Sequence, residues 1–156
     1  MKLAVGDSAP DFSAHAVFPH DGATELVSLQ GLRGKRVVLV FYPKDNTPGC
    51  TMQACAIRDQ WSELEDKAVI YGISGDDEQS HKKFIAKRQL PYPLLVDTDH
   101  VIAEAYGTWV EKSLFGRKYM GVQRSTFVIG VDGVLEAVFE RVSPTKHIKM
   151  LLDSLS

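Results

Sequence analysis

Two thiols and the residues around them carry the most chemistry in this sequence. Cys50 and Cys55 are its two cysteines and lie five residues apart in the segment FYPKDNTPGCTMQAC. Such a pair can form a disulfide, hold part of a metal site, catalyse redox reactions, or arise by coincidence. Thr47 and Pro48 favour a helix that begins just before Cys50, because threonine is a common N-cap and proline suits the first helical position. The sequence therefore predicts a thiol in the first turn of a helix.

A position in the first turn favours reactivity at Cys50. The unpaired N–H groups and the positive dipole end of a helix stabilise a thiolate, which is the nucleophilic form. A buried and inert cysteine is the alternative. Five residues of helix would place the Cα atoms of Cys50 and Cys55 ~8–9 Å apart. Since a disulfide needs a Cα separation below ~7 Å, the two can bond only if the helix start unwinds, which we expect to expose Met52 and Gln53.

Metal binding is a second interpretation of the pair. Two thiols supply only half of a tetrahedral zinc site, and the five histidines are scattered along the chain. Copper binds soft thiolate ligands better, so a copper-binding assembly factor that uses two thiolates and one histidine remains an alternative. A protein disulfide reductase is another alternative, although the sequence lacks the C-x-x-C motif that such an enzyme would use.

Length and composition predict one globular domain over residues 1–156. Hydrophobic residues make up 44% of the chain and charged residues 24%, as in ordinary globular proteins. The formal net charge of -2 argues against nucleic acid or an anionic membrane as a partner. No secretory signal and no apolar run of ~18 residues is present, so we expect no membrane span and a reducing, cytoplasmic location.

The order of predicted elements indicates an α/β fold. Buried strands alternate with helices, and a hairpin and a last helix follow, which predicts a mixed central sheet with helices on both faces. Because sites of parallel sheets lie at the carboxyl ends of the strands, chemistry is expected at residues 43–50. The predicted strands span 37–42, 68–74, 94–96, 126–131 and 134–139, and the predicted helices begin at Pro48, near Asp77 and at Ser143. Residues 106–123 are predicted to be a long connection.

The segment Pro43-Lys-Asp-Asn-Thr47-Pro-Gly-Cys50 resembles the Pro-x-x-x-Thr-x-x-Cys signature of peroxiredoxins. With a cysteine five positions later, the wording is similar to the peroxiredoxin Q or bacterioferritin comigratory protein subfamily. Gln53 stands where many relatives carry glutamate. Further segments that resemble the family are Gly6–Phe12, Gly72–Asp76, Ser80–Phe84, Leu94–Asp97 and Arg124–Phe127.

The resemblance implies a thioredoxin-like fold and reduction of hydrogen peroxide and alkyl hydroperoxides without any cofactor or metal. It implies that Cys50 is the peroxidatic cysteine and that Cys55 resolves it through an intramolecular disulfide. Thr47 and Arg124 would complete the site and Pro43 would shield it. Arginine suits this role because it offers a permanent charge and a fixed fork of donors. The hydroxyl of Thr47 is expected either to cap the helix or to contact the peroxide.

The resemblance also implies partners. The disulfide would be reduced by thioredoxin, with glutaredoxin as an alternative, and the protein would be a monomer. The connection at residues 106–123 carries Trp109, Phe115, Tyr119 and Met120. These side chains are expected either to surround the site and receive apolar hydroperoxide tails or to close off the core.

Overall fold

The computed structural model describes residues 2–156. The strands are β1 (Ser13–Val17), β2 (Thr24–Ser28), β3 (Val37–Phe41), β4 (Val69–Ser74), β5 (Leu94–Val96), β6 (Trp109–Leu114), β7 (Arg117–Val122), β8 (Ser125–Ile129) and β9 (Leu135–Phe139). The helices are α1 (Pro48–Asp59), α2 (Trp61–Leu64), α3 (Glu78–Arg88), α4 (Val101–Ala105) and α5 (His147–Leu155). A short 3-10 turn covers Gln30–Leu32.

A seven-stranded mixed sheet forms the centre of the protein. Its strand order is β2-β1-β5-β4-β3-β8-β9. β3 pairs in parallel with β4, and β4 in parallel with β5, whereas β8 pairs antiparallel with β3. The predicted α/β class with a mixed sheet is confirmed. The carboxyl end of β3 opens directly into the loop that precedes α1, which is where the sequence predicted the site.

β3 lies in the middle of the sheet because its side chains are apolar on both faces. All five of its residues are buried. Leu39 and Phe41 pack into one core cluster, and Val38 and Val40 pack into the other, as the alternation of side chains along a strand requires. The helices α1, α2, α3 and α5 contribute to the second cluster, and α4 contributes to the first. Helices therefore cover both faces, as predicted.

Several predicted boundaries differ from the structure. The predicted helix at Pro48 ends at Asp59, because the chain turns at Gln60 (φ -106°, ψ 17°) before the short helix α2. The last helix begins at His147 and not at Ser143, because Ser143 O first accepts bonds from the N–H groups of Lys146 and His147, both at 3.1 Å, in a separate turn. The strands β1 and β2 and the helix α4 were not predicted.

The prediction of a long connection at residues 106–123 is wrong. β6 and β7 form an antiparallel hairpin in a second, two-stranded sheet. Its turn consists of Phe115 and Gly116, whose φ angles of 51° and 79° are both positive. Most side chains of the two strands are exposed or half-buried, so the sequence shows no alternation of polar and apolar residues from which strands could be recognised.

Candidate active site

Cys50 lies in the first turn of α1, where the sequence predicted it. Thr47 precedes this helix, whose first backbone bond runs from Thr51 N to Thr47 O at 2.8 Å. Cys50 is 3% exposed and packs in the core cluster on the face of the sheet that α1, α2, α3 and α5 cover. The thiol therefore meets the unpaired N–H groups of a helix start and little water, an environment that suits a nucleophilic sulfur.

Arg124 reaches Cys50 from the neighbouring strand. β3 and β8 pair with Phe41 opposite Ser125, so Arg124 lies next to the loop that follows β3. Its Nη2 donates to Cys50 Sγ at 3.4 Å, and its Nη1 donates to Oε1 of Gln53. Cys50 and Gln53 lie three residues apart, on the same side of α1. The guanidinium therefore places a permanent positive charge beside the sulfur and joins the first two turns of the helix.

Gly49 leaves room for this contact. A Cβ atom added at Gly49 would lie 3.2 Å from Arg124 Nη2 and 3.3 Å from Pro144 Cγ. Such distances are tighter than ordinary van der Waals contacts, so a side chain at Gly49 would displace the guanidinium or the turn before α5. The glycine next to the thiol is therefore required by the approach of Arg124.

Thr47 occupies the N-cap position of α1, with φ -91° and ψ 156°. Its hydroxyl nevertheless caps no N–H group in the described part of the chain, and Oγ1 donates to Lys44 O at 2.9 Å. The prediction that this hydroxyl caps the helix is therefore wrong, because the hydroxyl closes the loop before the helix. The same oxygen retains lone pairs that can accept a hydrogen bond from a ligand.

A buried carboxylate that the sequence analysis missed holds the loop between β3 and α1. Oδ1 of Asp45 accepts from the Tyr42 hydroxyl, and Oδ2 accepts from Ser80 Oγ at 2.8 Å. The Asp45 N–H donates to Asp76 Oδ2 at 2.7 Å. Burial and the charge of Asp45 raise the pKa of Tyr42, which keeps the phenol protonated as a donor. The loop is thus bonded within itself between Tyr42 and Asp45, to the segment after β4 and to α3.

His81 completes the network around Asp45. Its Nε2 donates to Leu95 O at 2.8 Å, and its Nδ1 lies 2.7 Å from Asp45 Oδ2. Because the carbonyl can only accept, one ring proton belongs to Nε2, and a second proton must lie between Nδ1 and the carboxylate. Asp45 and His81 are 36 residues apart, so no local pattern in the sequence could have paired them.

A second buried histidine lies near enough to Arg124 for the charge of the guanidinium to affect it. Nε2 of His147 lies 2.7 Å from Thr126 Oγ1, and its Nδ1 has no hydrogen-bond partner among residues 2–156. Burial, with a smaller effect of the positive charge of Arg124, lowers the pKa of His147 from 6.5 to about 4. His147 is therefore neutral at physiological pH, and it adds no positive charge that would compete with the guanidinium.

Cys55 is half-buried on the same unbroken helix, and both cysteines are free thiols. Burial and, to a smaller extent, Cys55 raise the pKa of Tyr92. Gln53 is 2% exposed, which confirms that it is packed in the reduced protein. Met52 is 51% exposed, so the prediction that it is packed before oxidation is wrong. Met52 and Gln53 differ in exposure because one side of α1 packs against the protein and the other side faces solvent.

Pro43 lies on the surface at the edge of a cavity of about 300 Å³. The β6–β7 hairpin forms the other wall, with Tyr119 and Met120 half exposed. Lys112 Nζ donates to Val122 O at 2.6 Å, and burial lowers the pKa of this lysine. The prediction that these hairpin side chains close off the core is wrong for Tyr119 and Met120, which line a cavity beside the loop that carries the thiol.

Metal ligation and membrane spanning are two further properties of the described residues. Within residues 2–156, no three side chains of the His, Cys, Asp or Glu type are grouped so that they could hold a metal ion. The copper-binding alternative therefore finds no assembled ligand set in the described part of the chain. None of the helices in that part is both long enough and apolar enough to cross a membrane.

Comparison with known proteins gives one consistent result. The model of the AhpC/TSA family matches residues 5–138. Peroxiredoxin Bcp of Bacillus subtilis is 42% identical over 99% of this chain and 96% of its own, and Peroxiredoxin Bcp of Escherichia coli K12 is 42% identical over 98% and 96%. A solved structure of Xanthomonas campestris bacterioferritin comigratory protein, described for its alkyl peroxide reduction activity, superposes with a TM-score of 0.83 at 29% identity, over 92% of this chain and 89% of its own.

The shifted pKa of His147 predicts a pH dependence of stability. Between about pH 6.5 and pH 4 the unfolded chain binds a proton at this residue and the folded chain does not. The free energy of unfolding should therefore decrease as the pH falls through this range, by up to ~3 kcal/mol from this group. Urea unfolding of wild type and His147→Gln at several pH values measures the effect, and the variant should show the weaker pH dependence.

The exposed His20 provides the matched control. His20→Gln should keep the pH dependence of the wild type, because removal of an exposed side chain leaves the buried imidazole of His147 in place. Other groups contribute equally to all three proteins, so only differences between them matter. Equal slopes for wild type and His147→Gln would contradict the assignment of a neutral, buried imidazole.

Proposed function

This chain belongs to the AhpC/TSA family, among its Bcp and peroxiredoxin Q members, and we propose that it reduces hydrogen peroxide and alkyl hydroperoxides at Cys50. As a peroxiredoxin it is a thiol peroxidase and an oxidoreductase. The contact of 3.4 Å between Arg124 Nη2 and Cys50 Sγ carries the assignment of the site, because a thiolate nucleophile needs a fixed cation of this kind.

The first step is attack of the Cys50 thiolate on one oxygen of the hydroperoxide. A sulfur–oxygen bond forms and the oxygen–oxygen bond breaks, so the sulfur is oxidised to a sulfenic acid and the peroxide is reduced. The leaving oxygen departs as an oxyanion and takes up a proton to give water or an alcohol. The donors of Arg124 stabilise both the thiolate and the negative charge that develops on the leaving oxygen.

Thr47 and Pro43 position the peroxide in this proposal. The Thr47 hydroxyl donates its proton to Lys44 O, so its oxygen can accept a hydrogen bond from the hydroperoxide O–H. Pro43 limits the access of water to the loop, and the adjacent cavity of about 300 Å³, with Tyr119 and Met120 on its far wall, receives the apolar tail of an alkyl hydroperoxide. The alkyl peroxide reduction described for the Xanthomonas relative supports this substrate class.

Cys55 resolves the sulfenic acid. Its thiolate attacks the Cys50 sulfur, the sulfur–sulfur bond forms, and hydroxide leaves and becomes water. A dithiol protein then supplies two electrons and two protons to regenerate the thiols; thioredoxin is the proposed reductant and glutaredoxin the alternative. Because both cysteines belong to the same chain, the disulfide needs no second subunit, and we propose one domain over residues 1–156 that acts as a monomer. The proposed cycle needs a thiol reductant to regenerate the two thiols, which supports a reducing, cytoplasmic location.

The geometry of α1 sets a condition on this second step. Both thiols lie on one intact helix, where their Cα atoms are ~8–9 Å apart and a disulfide would need less than ~7 Å. The helix must therefore unwind at its start when the bond forms. Unwinding also separates Gln53 from Arg124, because the two are in contact only while Gln53 lies one turn after Cys50.

Substitution of the two cysteines separates their roles. Cys50→Ser should abolish turnover, because the nucleophile is lost. Cys55→Ser should consume about one equivalent of peroxide and then stop with a sulfenic acid at Cys50. NADPH oxidation with thioredoxin and thioredoxin reductase measures turnover, and mass spectrometry detects the trapped acid. Sustained thioredoxin-driven turnover by Cys55→Ser would show that another thiol resolves Cys50.

Arg124→Lys should reduce the rate of peroxide reduction by ~10²-fold, because a single ammonium cannot donate to Cys50 and Gln53 from one fixed fork. The rate of Cys50 alkylation by iodoacetamide at constant pH should decrease as well. Arg117→Lys is the matched control, since Arg117 is exposed on the hairpin. If the Arg124→Lys variant alkylates and turns over at the wild-type rates, Arg124 is not part of the site.

Hydrogen exchange on the reduced and oxidised proteins tests the unwinding. Amides from Thr51 to Ile57 should exchange much faster once the Cys50–Cys55 disulfide has formed, because helical hydrogen bonds in this segment are lost. The amides of α5 serve as an internal control and should exchange equally in both forms. Equal protection of residues 51–57 in both forms, with the disulfide confirmed by mass spectrometry, would contradict the unwinding.

A further inference from the structure

The tip of the β6–β7 hairpin, defined here as residues 113–118, exposes apolar side chains to solvent. Phe115 is 96% exposed and Leu114 is 57% exposed. Arg117 and Lys118 follow directly and are exposed as well. The sequence of the tip, SLFGRK, contains two cations and no anion. Two neighbouring apolar side chains beside two cations form a small amphipathic surface, which differs from the isolated apolar residues that are common on protein surfaces.

The turn at the tip places a bulky residue, Phe115, in a backbone conformation with positive φ. Phe115 and Gly116 form a two-residue turn between the paired residues Leu114 and Arg117, and both turn residues have positive φ. Turns of this type favour Asn-Gly, and a bulky side chain at positive φ is disfavoured. Packing does not compensate, since the ring is almost fully exposed. A residue that costs stability in two ways, by its exposure and by its backbone, indicates selection for something other than folding.

We propose that the hairpin tip docks on an anionic lipid bilayer, with Leu114 and Phe115 inserted at the interface and Arg117 and Lys118 at the lipid headgroups. The charge of the tip is complementary to such a surface. Glu111 Oε1 lies 3.6 Å from Lys118 Nζ, but both groups are exposed, so this ion pair is weak. Arg117 does not take part in it. The net charge of -2 argued against a membrane partner, but it averages the whole surface and conceals a local basic cluster.

The position of the tip favours a bilayer over the protein reductant. A reductant must reach the Cys50–Cys55 disulfide on α1. From Val122, at the base of the hairpin, to Arg117 the chain advances five residues, or ~17 Å of strand. Hairpin residues line the cavity beside Pro43 from Trp109 and Val122 at the base up to the pair Lys112 and Tyr119, and the tip lies beyond that pair. Docking by the tip would hold this cavity near lipid hydroperoxides in the membrane, a substrate class that rests on the proposed function above.

Vesicle binding by the full-length protein tests the docking without any peroxide. The wild type should sediment with vesicles of phosphatidylglycerol and phosphatidylcholine at low salt, and high salt should release it. It should not sediment with vesicles of phosphatidylcholine alone. Arg117→Gln and Lys118→Gln should each weaken binding by roughly fivefold. Phe115→Asn should also weaken binding, yet raise the Tm by roughly 2–4 °C, because Asn-Gly is the preferred turn sequence.

Val131→Asn is the matched control. Val131 is an exposed apolar residue at the β8–β9 turn, on a different loop from the tip, so its loss should leave vesicle binding unchanged. The docking is overturned if the wild type does not bind anionic vesicles, if Val131→Asn and Phe115→Asn have equal effects, or if Phe115→Asn lowers the Tm. It is also overturned if Phe115→Asn binds vesicles normally but raises the KM for thioredoxin, which would make the tip a protein contact.

The same variants separate this proposal from the proposed function. Phe115→Asn should reduce hydrogen peroxide at the wild-type rate and should be slower only with phospholipid hydroperoxides in anionic vesicles. If the wild type reduces neither hydrogen peroxide nor phospholipid hydroperoxides, the peroxidase assignment is rejected, and the result of the vesicle-binding experiment still stands. Equal rates of wild type and Phe115→Asn with vesicle-bound hydroperoxides would reject the role of the tip in substrate access.

Discussion

The antiparallel pairing of β3 with β8 is the constraint on which the site depends. It sets Phe41 opposite Ser125, so that the loop after β3 and Arg124 before β8 lie at the same edge of the sheet. A slip of one residue would send every side chain of β8 to the opposite face. The two faces of β8 are not equivalent: Phe127 packs against Phe41 with ring centroids 5.6 Å apart, whereas Thr126 bonds to a buried histidine on the other side. This difference holds the register that brings arginine and thiol together.

The loop that carries the thiol is held by buried polar groups. Asp45 and His81 share a proton in the interior, and the hydroxyls of Tyr42 and Ser80 donate to Oδ1 and Oδ2 of the carboxylate. Buried charges are costly unless they are paired and hydrogen-bonded in this way. Asn46, the next residue, has a φ of 61°, a conformation that asparagine tolerates better than most residues. The network thus fixes a loop whose backbone would otherwise sample several conformations before α1.

The helix α1 has two incompatible tasks in the catalytic cycle. In the reduced protein it must be intact, because its first turn holds Cys50 and its second turn presents Gln53 to Arg124. Disulfide formation requires the same segment to unwind. The bonds that Arg124 makes to both turns stabilise the reduced form only, so reduction of the disulfide restores them. In the proposed cycle, the redox state of the two thiols therefore determines the local structure of α1.

The sequence by itself determined the buried strand β3, the start of α1 at Pro48 and the place of Cys50 in its first turn, because an apolar run and a Thr-Pro pair act over a few residues. The role of Arg124 was indicated only through the family resemblance. The tertiary structure decided its contact with the sulfur, the burial of Asp45 against α3 and the hairpin at residues 109–122. These features join residues distant in the chain, or strands exposed on both faces, so their stability comes from register and burial that no local pattern records.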